Sequence, residues 1–169
     1  MGNQNDHCGS TRSGWMLSGC LAVGALIALL GDRALSAKPP NAGTSAVQFI
    51  RPTDSSAPFS PAVRVENILY LSGQIGAEAD GHLPPQFADQ VRQTMENVRA
   101  TLKASGSSLD DVFRCTVMLA DMSRWQEFNK IYVTYFKPER RPARSAIGAN
   151  GLAYGAMLEL ECTAYSPRR

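Results

Sequence analysis

A chain of 169 residues with 44% hydrophobic and 19% charged side chains has enough apolar material for one globular domain and additional segments. The formal net charge is +2, and Lys and Arg are scattered except for "ERR" at 139–141 and the final "RR". That distribution argues against the concentrated basic footprint of a nucleic-acid binder, and neither an internal repeat nor a low-complexity block is present.

The first segment differs in kind from the rest. A polar stretch, "MGNQNDHCGSTRSG", precedes an uncharged apolar run at residues 15–31, "WMLSGCLAVGALIALLG". The run lies between the length of a signal-peptide core and the shortest membrane-spanning helices. Ala34-Leu35-Ser36 fits a cleavage site of small residues. Residues 1–37 therefore read as an export signal, which places the mature protein in the periplasm. An uncleaved N-terminal anchor is the second reading, with membrane contact only through residues 15–31. A lipobox-like "LSGC" at 17–20 is a third, although it falls too early in the run. A mis-assigned start is the bland alternative. "KPPNAGTS" at 38–45 is a Pro, Gly and Ser-rich linker, and the domain occupies residues 46–169.

Within the domain, "AVQFI" predicts a short strand, and residues 52–61 a turn-rich connection. "AVRVENILYLSGQIG" predicts a hairpin turning at Glu66-Asn67, whose second strand, residues 68–74, is covered on both faces. In "PPQFADQVRQTMENVRATLKASG", Phe87, Val91, Met95, Val98 and Leu102 fall on one helical stripe, with Gly106 as the C-terminal cap. Ser107 and Asp110 form a small cap before the strand "VFRCTVML". "DMSRWQEFNKIYVTYF" predicts a second helix with a Ser123/Gln126 capping box and a buried stripe of Trp125, Phe128, Tyr132 and Tyr135. After "KPERRP", strands near 143–149 and 156–165 read as a hairpin around a glycine-rich turn. The order β-β-β-α-β-α-β-β implies α/β architecture: a single mixed sheet with two helices on one face. Arg114, Thr116, Met118, Glu159, Glu161 and Thr163 then line the uncovered face. It is too mixed for simple solvent exposure and suggests a subunit interface.

Cys8 and Cys20 lie in the leader, which leaves Cys115 and Cys162. Alternation places Cys115 with Phe113, Val117 and Leu119, and Cys162 with Leu158 and Leu160. Both read as free core cysteines, with a disulfide as the minority alternative. No G-x-S-x-G, GxxxxGK[ST] or GxGxxG motif occurs, and His82 sits in a polar loop. Neither metal-ligand spacing nor histidine base chemistry is indicated. Arg144 and Glu159 in the last predicted hairpin allow two readings: an ion pair within the sheet, or a site that holds an anion and works on it with water.

Several segments together carry a family resemblance: "SGQIG" at 72–76, "QTMENVRATLKASGSSLDDVFRCTVMLADM" at 93–122, "FNKIYVTYF" at 128–136, and "RPARSAIG" through "GAMLELECTAY". In order and spacing they resemble the reactive intermediate deaminases, the RidA or YjgF-like proteins, over residues 57–165. The resemblance implies the fold of the trimeric chorismate mutases, a homotrimer, and sites in clefts between subunits. It implies hydrolysis of 2-imino or enamine carboxylic acids to 2-oxo acids and ammonia, without cofactor or metal. Arg144 of the "PARS" motif would hold the substrate carboxylate, and Glu159 would position the attacking water. Backbone groups at Ala146 would bind substrate or water, and Phe59, Ser72 and Gly73 would line the cleft. Two positions depart from the family: Phe59 stands in "PFSP" where many members have a tyrosine, and Ala146 where many have cysteine. The "GANGLAYGA" loop also differs, which points to a neighbouring subgroup. A non-catalytic binder or sensor of small carboxylates in the same cleft is the alternative function. Chaperone-like and ribonuclease activities have also been attached to the family, and the near-neutral charge gives RNA binding no support. An exported member would need a source of imine outside the cytoplasm.

Overall fold

The last strand of the chain is the middle of the sheet. In the computed structural model, which describes residues 46–51 and 56–167, the strands are β1 (Val47–Ile50), β2 (Ala62–Val65), β3 (Ile68–Leu71), β4 (Gln74–Ile75), β5 (Val112–Leu119), β6 (Ala143–Gly148) and β7 (Leu158–Tyr165). They form one sheet ordered β1-β2-β3-β7-β5-β6, with β4 also paired to β7. Only the β5–β6 pair is parallel, and the other pairings are antiparallel. Helices α1 (Phe87–Ala104) and α2 (Trp125–Tyr132) pack on one face. The mixed sheet with two helices on one face is thus the architecture read from the sequence. The leader, residues 1–37, and the linker, residues 38–45, lie outside the described residues.

The core is built from two periodicities. On α1, the predicted stripe of Phe87, Val91, Met95, Val98 and Leu102 is buried in full. On β7, Leu158, Leu160, Cys162 and Ala164 alternate inward while Glu159, Glu161, Thr163 and Tyr165 face the other way. Helix α1 ends in a Schellman motif: Ser107 donates to the Leu102 carbonyl at 2.9 Å and Gly106 to the Lys103 carbonyl at 3.0 Å. Gly106 takes φ 74°, which its missing Cβ permits. Gln90, buried among the apolar side chains, ties two loops together. Its Nε2 donates to the Pro84 carbonyl (2.8 Å) and its Oε1 accepts from the Met157 N–H (2.9 Å).

Several expectations are corrected. Residues 143–165 do not form a hairpin, because β5 lies between β6 and β7. The connection passes over the end of β5. There Ala149 donates to the Leu119 carbonyl (2.9 Å) and Ala120 to the Met157 carbonyl (3.1 Å). Cys115 and Cys162 are not free thiols; they are direct cross-strand partners on β5 and β7, with Cα atoms 4.1 Å apart, and form a disulfide. Phe113 is not on the core face. A register shift between Val112 and Arg114 turns it outward, where it is 44% exposed. The strand expected at 68–74 breaks at Ser72-Gly73 into β3 and β4, and Tyr70 on β3 is half exposed rather than covered. Asp121, not Ser123, opens the second helical segment, accepting from the Ser123 N–H at 2.9 Å. Ser108 and Asp111, one residue later than expected, make the capping box before β5. Tyr135 and Trp125 are half-buried, and Phe136 completes the aromatic core row instead.

Candidate functional site

The predicted site residues fall into two groups. Arg144 lies on β6, the edge strand, opposite Cys115. Register partners share a face, so Arg144 points to the helix side. Its guanidinium carbon lies 4.5 Å from the ring centres of Trp125 and Tyr132 and 5.4 Å from that of Phe128. One guanidinium nitrogen donates to Asn129 Oδ1 at 2.7 Å. Those four partners recur at helical spacing on α2, so one helix face builds the whole cradle. Burial pulls the Arg144 guanidinium below its ordinary pKa, and nearby Tyr132 opposes the shift. Arginine nonetheless stays protonated in water-accessible proteins. Burial pushes the Tyr132 phenol up to about 12, against a smaller lowering by the Arg144 charge. Ala146, two residues on, is exposed on the same face of the same strand. Beyond β6 the sheet has no further strand among the described residues.

Glu159 begins the second group. It sits on β7 opposite Ile75 and Met118, on the face away from the helices. Its carboxylate rests on Gly73: a Cβ built there would lie 1.8 Å from Glu159 Oε1 and 2.7 Å from Cδ. Glycine at 73 is therefore what allows the carboxylate to occupy that spot. Ser72 Oγ donates to the Ser60 carbonyl at 2.7 Å, which fastens the loop carrying Phe59 to the β3–β4 break. Phe59 itself is 53% exposed. Phe59, Ser72, Gly73 and Glu159 are thus brought into one neighbourhood, and Arg144 with Ala146 into another.

Within one chain these groups face opposite sides of the sheet. Arg144 and Glu159 form no ion pair among the described residues, so the ion-pair reading of the sequence does not hold. The cradle of Arg144 was missed in the sequence. Trp125, Phe128 and Tyr132 read there as core packing only, although Asn129, a half-buried amide one position from the stripe, was a usable signal. His82 is exposed in its loop, as expected. Among the described residues, no group of three His, Cys, Asp or Glu side chains is placed to hold a metal ion. No described helix is long and apolar enough to cross a membrane.

A single sheet covered by two helices on one face, uncovered on the other among the described residues, with an arginine held at its edge strand, defines an α/β class with many known relatives. The family model described as Endoribonuclease L-PSP matches residues 50–166, and the chain belongs to this family, the RidA/YjgF proteins. Protein HMF1 of Saccharomyces cerevisiae is 38% identical over 111 residues, covering 65% of this chain and 85% of that protein. The 2-iminobutanoate/2-iminopropanoate deaminase of Mus musculus is 38% identical over 109 residues, covering 63% and 80%. The crystal structure of RidA from an Antarctic Psychrobacter superposes with a TM-score of 0.63 at 32% identity, covering 72% of this chain and 99% of that one. Relatives named as deaminases support a deaminase role for the family.

Proposed function

We propose that this protein hydrolyses reactive 2-imino or enamine carboxylic acids to 2-oxo acids and ammonia, in a cleft completed by a second copy of the chain. The observation that supports it most is Arg144. It is a half-buried cation with one protein hydrogen bond and no carboxylate partner among the described residues, held at an open sheet edge. A guanidinium so held offers further in-plane N–H donors, which match a carboxylate in bidentate geometry. Glu159, on the opposite face, is available to a neighbouring copy, and a homotrimer is the assembly proposed to bring the two together.

The chemistry needs little more. Protonation of the imine nitrogen makes its carbon electrophilic. Water oxygen bonds to that carbon as Glu159 accepts a water proton; the proton passes to nitrogen, the C–N bond breaks, and ammonia leaves as the new hydroxyl gives its proton back to Glu159 and the carbonyl forms. Positioning the two reactants supplies much of the gain, and a carboxylate base adds about 10² to 10⁴. The test generates 2-iminopropanoate in place with an amino-acid oxidase and follows its loss by semicarbazide trapping. Wild type should accelerate the loss, and Arg144→Ala should not, with the oligomer intact. Equal loss with both proteins would remove deamination of this substrate.

Phe59 favours a second reading, a non-catalytic binder of small carboxylates, because its ring has no hydroxyl to offer a reacting group. Under that reading, 2-oxo acids raise the thermal midpoint while imine loss stays at the uncatalysed rate.

Residues 1–37 are proposed to export the protein to the periplasm, or to anchor it there if uncleaved. The Cys115–Cys162 disulfide supports an oxidising compartment. Fractionation with thiol alkylation checks this: the protein should be recovered outside the cytoplasm with both core cysteines blocked from alkylation until reduced. Recovery in the cytoplasm with both thiols reactive would remove the proposal.

A further inference from the structure

Three arginines stack on aromatic rings among the described residues, and they are finished differently. Arg99 lies 5.1 Å from the Tyr135 ring centre and pairs with Glu96 at 2.6 Å. Arg124 lies 4.5 Å from the Phe87 ring centre and pairs with Glu127 at 2.7 Å. Arg144 stacks on more rings than either, and its side-chain hydrogen bond goes to a neutral amide. In the first two cases a glutamate one helical turn away supplies the carboxylate. In the third, the protein supplies the stack and leaves the carboxylate out.

The rings of the third stack are not equivalent. Phe128 is fully buried and lies farthest, at 5.4 Å, and it packs the core. Trp125 is half-buried at 4.5 Å, so part of its ring reaches solvent while it meets the guanidinium. Its own place is fixed from several sides. Asp121 caps the turn before it, Arg124 and Glu127 are paired beside it, and its ring stacks on Phe128 with centres 6.0 Å apart. Indole gives the strongest cation–π platform among the aromatic side chains. A ring against the face of a guanidinium leaves the in-plane N–H donors clear, and the Asn129 bond removes rotation about the remaining freedom.

We propose that Trp125 is a positioning residue for the carboxylate clamp: its indole face holds the plane of the Arg144 guanidinium so that the donors not used by Asn129 stay aligned for a bound 2-imino or 2-oxo acid. The inference rests on the reading of Arg144 as a carboxylate site given above. It adds that the affinity of the clamp is set by an aromatic face on α2 and not by the arginine alone.

The experiment titrates 2-oxobutanoate into the full-length protein by calorimetry, using wild type, Trp125→Phe, Trp125→Leu and Arg144→Ala. Leucine keeps apolar bulk and loses the π face; phenylalanine keeps the face. Trp125→Leu should weaken binding about ten-fold and Trp125→Phe no more than about three-fold, in line with a desolvated cation–π contact. In the imine assay the Trp125→Leu loss should fall more on KM than on kcat, a split that a purely structural role would not produce. Wild-type affinity in Trp125→Leu, or equal weakening in both variants, would overturn the role of the indole face while leaving the carboxylate site standing. Absence of binding in wild type, or undiminished binding in Arg144→Ala, would overturn the site itself and this inference with it.

Discussion

Arg64 on β2 and Arg144 on β6 both reach the helix-covered face of the sheet, and neither has a carboxylate within ion-pair distance among the described residues. Arg64 is 7% exposed and spends its donors on the fold: Nη2 gives to the Ser105 carbonyl at 2.7 Å, and Nη1 to the Ser166 carbonyl. Ser105 is the C-terminal cap of α1, where the helix presents its negative pole, so the cation closes that end. Arg144 is half-buried against rings and gives one bond to an amide. A buried cation whose hydrogen bonds are consumed by backbone carbonyls is a structural element. One held over aromatic rings, with donors to spare at a sheet edge, is prepared for something that is not part of the chain.

Replacing each arginine by methionine sharpens this contrast. Arg144→Met should lower kcat/KM for imine hydrolysis by about 100-fold or more, because a charge-assisted bidentate contact is lost. Its thermal midpoint should stay close to that of wild type, since the apolar stem still covers the rings. Arg64→Met should do the reverse, costing roughly 3 kcal/mol of stability by leaving two carbonyls unsatisfied. Its activity per folded molecule should be unchanged. Chemical denaturation and the semicarbazide assay read both. The reverse pattern, with Arg144 needed for folding and Arg64 for turnover, would break the comparison.

On the bare face the same question is put to Glu159, with a smaller expected effect. Gly73→Ala places a methyl 1.8 Å from the present Oε1 position, so the carboxylate must swing aside. Cγ, at 2.9 Å, is also crowded, so the displacement begins near the root of the side chain. Turnover should fall about ten-fold, as a misplaced general base loses part of its effect, while denaturant unfolding changes little. If activity is retained, the position of Glu159 over Gly73 has no part in the reaction.

The two faces of the sheet were not equally legible in the sequence. The α1 stripe and the outward residues of β5 and β7 followed from period and alternation, because burial on one face imposes them. Strand adjacency did not follow. Residues 143–148 and 158–165 look like a hairpin because a glycine-rich turn joins them, yet β5 takes the place between them through partners far along the chain. The disulfide was hidden for the same reason: Cys115 and Cys162 meet only once the β5–β7 register is known. Phe113 was misplaced because one bulged residue inverts the alternation. Arg144 and Glu159 were paired as the charged residues of one predicted hairpin, and the family resemblance supplied their roles. That one chain puts them on opposite faces is a property of the sheet order, which no local pattern encodes.

The smallest effect concerns Tyr132, the ring beneath the Arg144 guanidinium opposite neither carboxylate nor amide. Its hydroxyl is buried without a hydrogen-bond partner among the described residues. Burial holds its pKa at about 12, above the ordinary value of 10.0. The folded state therefore binds the phenolic proton more tightly than the unfolded chain. The resulting stability is present in full below pH 10 and is lost as pH rises through 12. Tyr132→Phe removes an unsatisfied polar atom and keeps the ring, so stability at pH 7 should be unchanged or slightly higher. The difference should appear only in alkali, where wild type loses stability between about pH 10 and 12 faster than the variant. Denaturant midpoints at pH 7, 9 and 11 decide it. A large loss in Tyr132→Phe at pH 7 would mean that the hydroxyl has a partner, and parallel curves to pH 11 would mean that it is not buried as described. Either result would redraw the floor of the Arg144 cradle, since a phenol with a partner fixes its ring by a hydrogen bond rather than by packing alone.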